Sequence, residues 1–94
     1  MNYHKTTAPV VIYTKGYCPF CRRAKALLDS KNVAYTEFDI TGDNALTREM
    51  LQRSGRMTVP QVFVNDVHVG GSDELQTAQD NGLLDQLLAS RQAA

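Results

Sequence analysis

Apolar positions fall into short blocks whose spacing switches between the two regular periods. Pro9-Val10-Val11-Ile12-Tyr13 is an unbroken run rich in β-branched and aromatic residues, which predicts a strand over Val10–Thr14, buried on both faces. Beyond it Ala24, Ala26, Leu27 and Leu28 sit among Arg22, Arg23, Lys25 and Asp29, a helical composition with one apolar face. This helix is expected over Pro19–Ser30. Pro19 suits its first turn, where no intrahelical bond needs the missing N–H, and Asn32 can close it in a left-handed conformation. Ala34–Ile40 alternates as a second strand, with Ala34, Thr36, Phe38 and Ile40 on one side and Tyr35, Glu37 and Asp39 on the other.

Asp43 or Asn44 can cap a second helix running to about Arg53. Gln61–Val64 and Val67–Val69 then read as the two strands of a hairpin around Asn65-Asp66. Gly70-Gly71 breaks the pattern, and Ser72 or Asp73 is the expected cap of a helix to Asp80. Asn81-Gly82 separates that helix from a last short one, Leu83–Ser90. The order βαβαββαα, with one parallel βαβ unit and one antiparallel hairpin, implies an α/β protein with a four-stranded mixed sheet flanked by helices. Residues 1–8 read as a frayed lead-in, and the whole chain, 1–94, as one domain without repeats or linkers.

Composition changes this picture little. A hydrophobic fraction of 43% and a charged fraction of 21% are those of a soluble globular domain, expected as a monomer. No apolar run approaches the ~20 residues of a membrane span. The start, Met1–Ala8, lacks the apolar core of a secretory leader, so a cytoplasmic, reducing location is expected. Net charge is zero but unevenly spread: up to residue 31 there are six Lys/Arg against Asp29 alone, and beyond it four Arg against nine acids. Without an overall basic excess, no nucleic-acid partner is expected. The basic part contains both cysteines.

Cys18 and Cys21, spaced C-x-x-C in Gly16-Tyr17-Cys18-Pro19-Phe20-Cys21, carry the candidate chemistry. Cys18 falls at the turn from strand to helix, where unpaired N–H groups and the positive end of the helix dipole favour the anion. Lys15, Arg22, Arg23 and Lys25 add positive charge, and the thiolate is the reactive form of cysteine. Cys21 lies about one turn further on and can attack a mixed disulfide formed at Cys18. Cys18 is therefore the candidate nucleophile and Cys21 the resolving thiol. A zinc site would need about four ligands, and His4 and His68 have no paired metal spacing, so no metal is expected. A disulfide closing so short a loop would stabilise the chain little, which counts against a structural bridge.

Three blocks in this order resemble a glutaredoxin of the dithiol, bacterial type, from about Val10 to Leu88. They are Lys15 with the cysteine motif, Thr58-Val59-Pro60-Gln61-Val62-Phe63-Val64, and Gly70-Gly71-Ser72-Asp73-Glu74-Leu75. The resemblance implies a thioredoxin fold and a disulfide reductase with glutathione as co-substrate, without a permanently bound cofactor. Its partners would be glutathione and proteins carrying glutathione or disulfides. It also implies a cis peptide before Pro60, a bend that would let the Val59 backbone pair with glutathione as with an added strand.

Lys15, Tyr17, Thr58, Val59, Pro60, Gly71, Ser72 and Asp73 are the implied glutathione-binding residues. Lys15 would meet one carboxylate, and Gly71-Ser72-Asp73 the γ-glutamyl end. For Asp73 plain helix capping is the alternative, and for Tyr17 packing against the turn. The family often sets an Arg or Gln of the second helix against a glutathione carboxylate. Here Arg48, Arg53 and Arg56 all qualify. Ser72 stands where relatives often carry a further cysteine, and the less usual Met57 is expected to alter packing. Two other readings compete. A thioredoxin proper has Trp beside Gly-Pro between its cysteines, whereas this chain has Pro19-Phe20 and no Trp. A carrier holding a [2Fe–2S] cluster through Cys18 and glutathione is disfavoured by Pro19 and the second cysteine.

Overall fold

The computed structural model describes residues 10–89. Its elements are β1 (Val10–Thr14), α1 (Pro19–Ser30), β2 (Tyr35–Asp39), α2 (Asn44–Ser54), β3 (Gln61–Val64), β4 (Val67–Gly70), α3 (Ser72–Asp80) and α4 (Leu83–Ala89). The expected order is present, with β2 shorter by one residue at each end and β4 running on through Gly70. The lead-in over residues 1–8 and the end of the last helix at Ser90 lie outside the described residues.

The sheet order is β2-β1-β3-β4. β1 pairs parallel with β2 and antiparallel with β3, and β3 antiparallel with β4. This is the mixed sheet of a thioredoxin fold. β1 is central and every one of its residues is buried, which explains its lack of alternation. Val10 and Ile12 face a core built with Ala24 and Leu28 of α1, Leu75 and Ala78 of α3, and Leu84 of α4. Val11 and Tyr13 face a second core with Ile40, Met50 of α2 and Phe63. Helices thus cover both faces, and the carboxyl end of β1 emerges between the two layers.

Local signals close each element. Asn32 takes φ 57° after α1, as expected, and the hairpin turn Asn65-Asp66 has positive φ at both residues. Asp43 caps α2 through Oδ1, which accepts the Leu46 N–H at 2.9 Å, and Gly55 at φ 73° ends that helix. Asp43→Ala is expected to lower stability by ~1 kcal/mol, read as an earlier urea midpoint with unchanged slope.

Candidate active site

After β1 the chain crosses the carboxyl edge of the sheet through Lys15, Gly16 and Tyr17. The Gly16 N–H donates to Thr41 Oγ1 at 2.8 Å, tying this loop to the one that follows β2. Cys18 is the N-cap of α1, with extended backbone angles of φ −148° and ψ 108°. Its Sγ accepts the Cys21 N–H at 3.2 Å, as a serine or aspartate oxygen does at this position. The fold thus aims a backbone donor and a helix N-terminus at the partly accessible sulfur.

Cys21 is in the opposite environment. It is 2% exposed, and burial first, then hydrogen bonding to Cys18, push its thiol up to about 12. One motif therefore holds an accessible sulfur facing donors and a buried one kept as a thiol.

Opposite Cys18 runs the segment leading into β3. The Val59–Pro60 peptide is cis, and Cys18 Sγ stands 3.9 Å from the Val59 carbonyl. A cleft of about 330 Å³ begins here. It is lined by Phe20, by Arg56, Thr58, Val59 and Pro60, and by Gly71, Ser72, Asp73 and Glu74 at the start of α3. Glu74 organises that last corner: Oε1 accepts the Gly71 N–H at 2.7 Å, and the two carboxylate oxygens take Arg56 Nη1 and Nη2 at 2.7 and 3.0 Å. The Arg56 guanidinium, and then the Gly71 N–H, hold the Glu74 carboxyl down at about 2. Both side chains of the pair are partly exposed, so its value lies in geometry more than in stability. Gly70 has φ +124°, and a Cβ there would lie 2.2 Å from Glu74 Oε1, so the corner requires glycine.

The expected cap of α3 needs correction. The N-cap is Gly71, with Ser72 and Asp73 as the first two helical residues, because the Glu74 carboxylate already satisfies the N–H that precedes them. Capping is thus not the role of Asp73.

Of the expected glutathione contacts, Thr58, Val59, Pro60, Gly71, Ser72 and Asp73 line one cleft, and Lys15 and Tyr17 do not line it. Both are exposed on the Cys18 loop. Tyr17 is 87% exposed, which rules out packing against the turn, and the Arg22 guanidinium carbon lies 5.9 Å from its ring. Met57 is exposed, so any effect it has on packing is at the surface.

The three arginines separate clearly. Arg53 is 4.2 Å over the Phe63 ring and donates to the Tyr13 hydroxyl at 2.7 Å. Arg48 lines a different groove on α2. Arg56 alone of the three lines the cleft. Glu74 and Phe20 carried no role in the sequence reading, yet Glu74 was detectable as the acid three residues beyond a cap position.

Comparison with known proteins agrees with this architecture. The family model described as Glutaredoxin matches residues 10–69. The chain belongs to the glutaredoxin family. It is 53% identical over 81 residues to Glutaredoxin 3 of Escherichia coli (strain K12), an alignment covering 86% of this chain and 98% of that one. The solution structure of glutaredoxin from Brucella melitensis is 46% identical with a TM-score of 0.75, over 90% of this chain and 94% of that one. The crystal structure of a buckwheat glutaredoxin–glutathione complex is 31% identical with a TM-score of 0.79, over 88% and 78%. As a glutaredoxin the chain is a thiol–disulfide oxidoreductase, and the Cys18/Cys21 pair is consistent with that chemistry. No described helix is long and apolar enough to cross a membrane.

Proposed function

We propose that this oxidoreductase is glutathione-dependent and reduces both glutathione mixed disulfides and protein disulfides through Cys18 and Cys21. One observation carries the reading: the accessible sulfur of Cys18 faces the carbonyl of Val59, and Val59 lines a cleft that reaches the α3 N-terminus and Arg56. Such a cleft offers backbone edges to an extended peptide, and donors and a cation to its carboxylates. The structural likeness to a glutaredoxin solved with glutathione supports the same ligand.

In this mechanism the Cys18 thiolate attacks the glutathione sulfur of a protein mixed disulfide. The protein leaves as its thiolate, and Cys18 carries glutathione. A second glutathione thiolate attacks that glutathione sulfur, giving oxidised glutathione and restoring the Cys18 thiolate. With a protein disulfide, Cys18 becomes linked to the protein. Cys21 loses its proton and displaces the protein thiolate, and two glutathiones then reduce the Cys18–Cys21 disulfide. The burial of Cys21 fits this order, since it keeps this thiol protonated while the accessible Cys18 makes the first attack.

Val59 pairs with the peptide backbone of glutathione, with Thr58 and Pro60 shaping that edge. The N–H groups of Ser72 and Asp73 meet the γ-glutamyl carboxylate next to Gly71, and the Asp73 carboxylate accepts from the γ-glutamyl amine. Arg56 or Lys15 meets the glycyl carboxylate, and Tyr17 flanks the sulfur.

The test is reduction of a small glutathione mixed disulfide, coupled to NADPH through glutathione reductase and repeated with thioredoxin reductase in its place. Turnover with the first and not the second is expected, and the reverse result would replace glutathione by a thioredoxin-type electron source. In the same assay Lys15→Ala is expected to raise KM about fivefold, the equivalent of ~1 kcal/mol, less so at high salt. An unchanged KM at low salt would leave Lys15 as a solvated side chain only.

A further inference from the structure

Gln61 opens β3 and is fully buried, a costly place for an amide unless every polar atom is used. Its Nε2 donates to the Thr58 carbonyl at 3.0 Å and to Thr58 Oγ1 at 3.2 Å, reaching back around Pro60. A carbonyl can only accept, so this contact fixes which end of the amide is which, and Oε1 faces His68 Nε2 at 2.7 Å. The His68 proton must therefore sit on Nε2. The ring is itself held against Phe63, with centroids 4.9 Å apart. Burial, and then the Arg56 guanidinium, lower the affinity of His68 for a second proton, so the neutral ring is the form at neutral pH. The result is an uninterrupted line of donors and acceptors from β4 through β3 to the residue next to Val59.

We propose that Gln61 and His68 are positioning residues for glutathione: by fixing Thr58 they hold the Val59 backbone at its spacing from Cys18. This deepens the glutathione-dependent reading and rests on it. Neither side chain touches the reacting sulfur. Gln61 ties the Thr58 carbonyl and hydroxyl to β3, and His68 keeps the Gln61 amide from rotating. Freeing Thr58 would leave Val59 to be ordered only when the ligand arrives, which weakens binding without altering the nucleophile.

The test uses the full chain with Gln61→Leu, Gln61→Glu and His68→Phe. Gln61→Glu keeps the acceptor for His68 but sets a carboxylate against the Thr58 carbonyl. His68→Phe preserves a ring against Phe63 and removes only the N–H. For each, KM and kcat with a glutathionylated peptide are measured beside the thermal midpoint and the amide NMR shift of Val59. A three- to tenfold rise in KM is expected, with kcat within about twofold of wild type and a moved Val59 amide. The double variant Gln61→Leu/His68→Phe should have the KM of Gln61→Leu alone, because His68 acts through Gln61. A wild-type KM and Val59 shift in His68→Phe would overturn the proposal, whatever the thermal midpoint does. That variant decides even if Gln61→Leu fails to fold. Failure of the underlying reading looks different: wild-type protein would reduce protein disulfides yet show no saturation with the glutathionylated peptide, and the proposal would fall with it.

Discussion

Cys18→Ser is expected to abolish reduction of mixed disulfides and protein disulfides alike, by at least about a thousandfold, with the fold intact. A hydroxyl is scarcely ionised at neutral pH, and the other thiol at this edge, Cys21, is buried and held protonated. The substitution is unusually clean here. Cys18 is the N-cap of α1, and its sulfur accepts the Cys21 N–H. Serine is among the preferred residues for that role, so the cap is kept while the nucleophile is lost. Circular dichroism and the urea midpoint should match wild type within ~1 kcal/mol as turnover disappears. Residual turnover above a few per cent in well-folded Cys18→Ser would move the chemistry elsewhere. Cys21, buried and held as a thiol, would then have to be the attacking group, contrary to its surroundings.

What the sequence disclosed of this site follows how local each determinant is. The strand-to-helix turn at Cys18 was legible because everything needed lies within a few residues: an apolar run before it, a proline in the first helical turn, and C-x-x-C spacing. The central position of β1 was legible from its unbroken apolar character. The choice among the arginines was not. Arg53 and Arg56 are close in sequence, but Gly55 at φ 73° ends α2 between them. Arg53 therefore stays on the helix against Phe63, while Arg56 turns towards α3. The pairing of Arg56 with Glu74 spans 18 positions and depends on β3, β4 and α3 folding together. The shifted cap of α3 has the same origin, since Glu74 satisfies Gly71 from within the helix. Gln61 was read only as a strand residue. Its burial became meaningful when Thr58 and His68 were found at its two ends.

Cys21→Ser is expected to separate the two activities that Cys18→Ser removes together. In this variant Cys18 keeps its place at the α1 N-terminus, because the hydrogen bond to its sulfur comes from the backbone of residue 21 and not from the side chain. Reduction of a glutathione mixed disulfide requires only that sulfur and free glutathione, so turnover should stay within a few fold of wild type. Reduction of protein disulfides should fall by about a hundredfold or more. The displaced step is intramolecular, and dissolved glutathione at millimolar levels replaces a thiol of far higher effective concentration. The pH dependence should also change. Burial holds the Cys21 proton well above the ordinary thiol range, so release of a protein substrate from wild type should go on accelerating at pH values where glutathione is already ionised. Without Cys21 that release should follow the ionisation of glutathione itself. Oxidised Cys21→Ser should further accumulate with one glutathione attached, seen as a mass increase that reductant reverses. Equal loss of both activities would show that the resolving thiol is obligatory, and a purely dithiol mechanism would then replace the glutathione-dependent one.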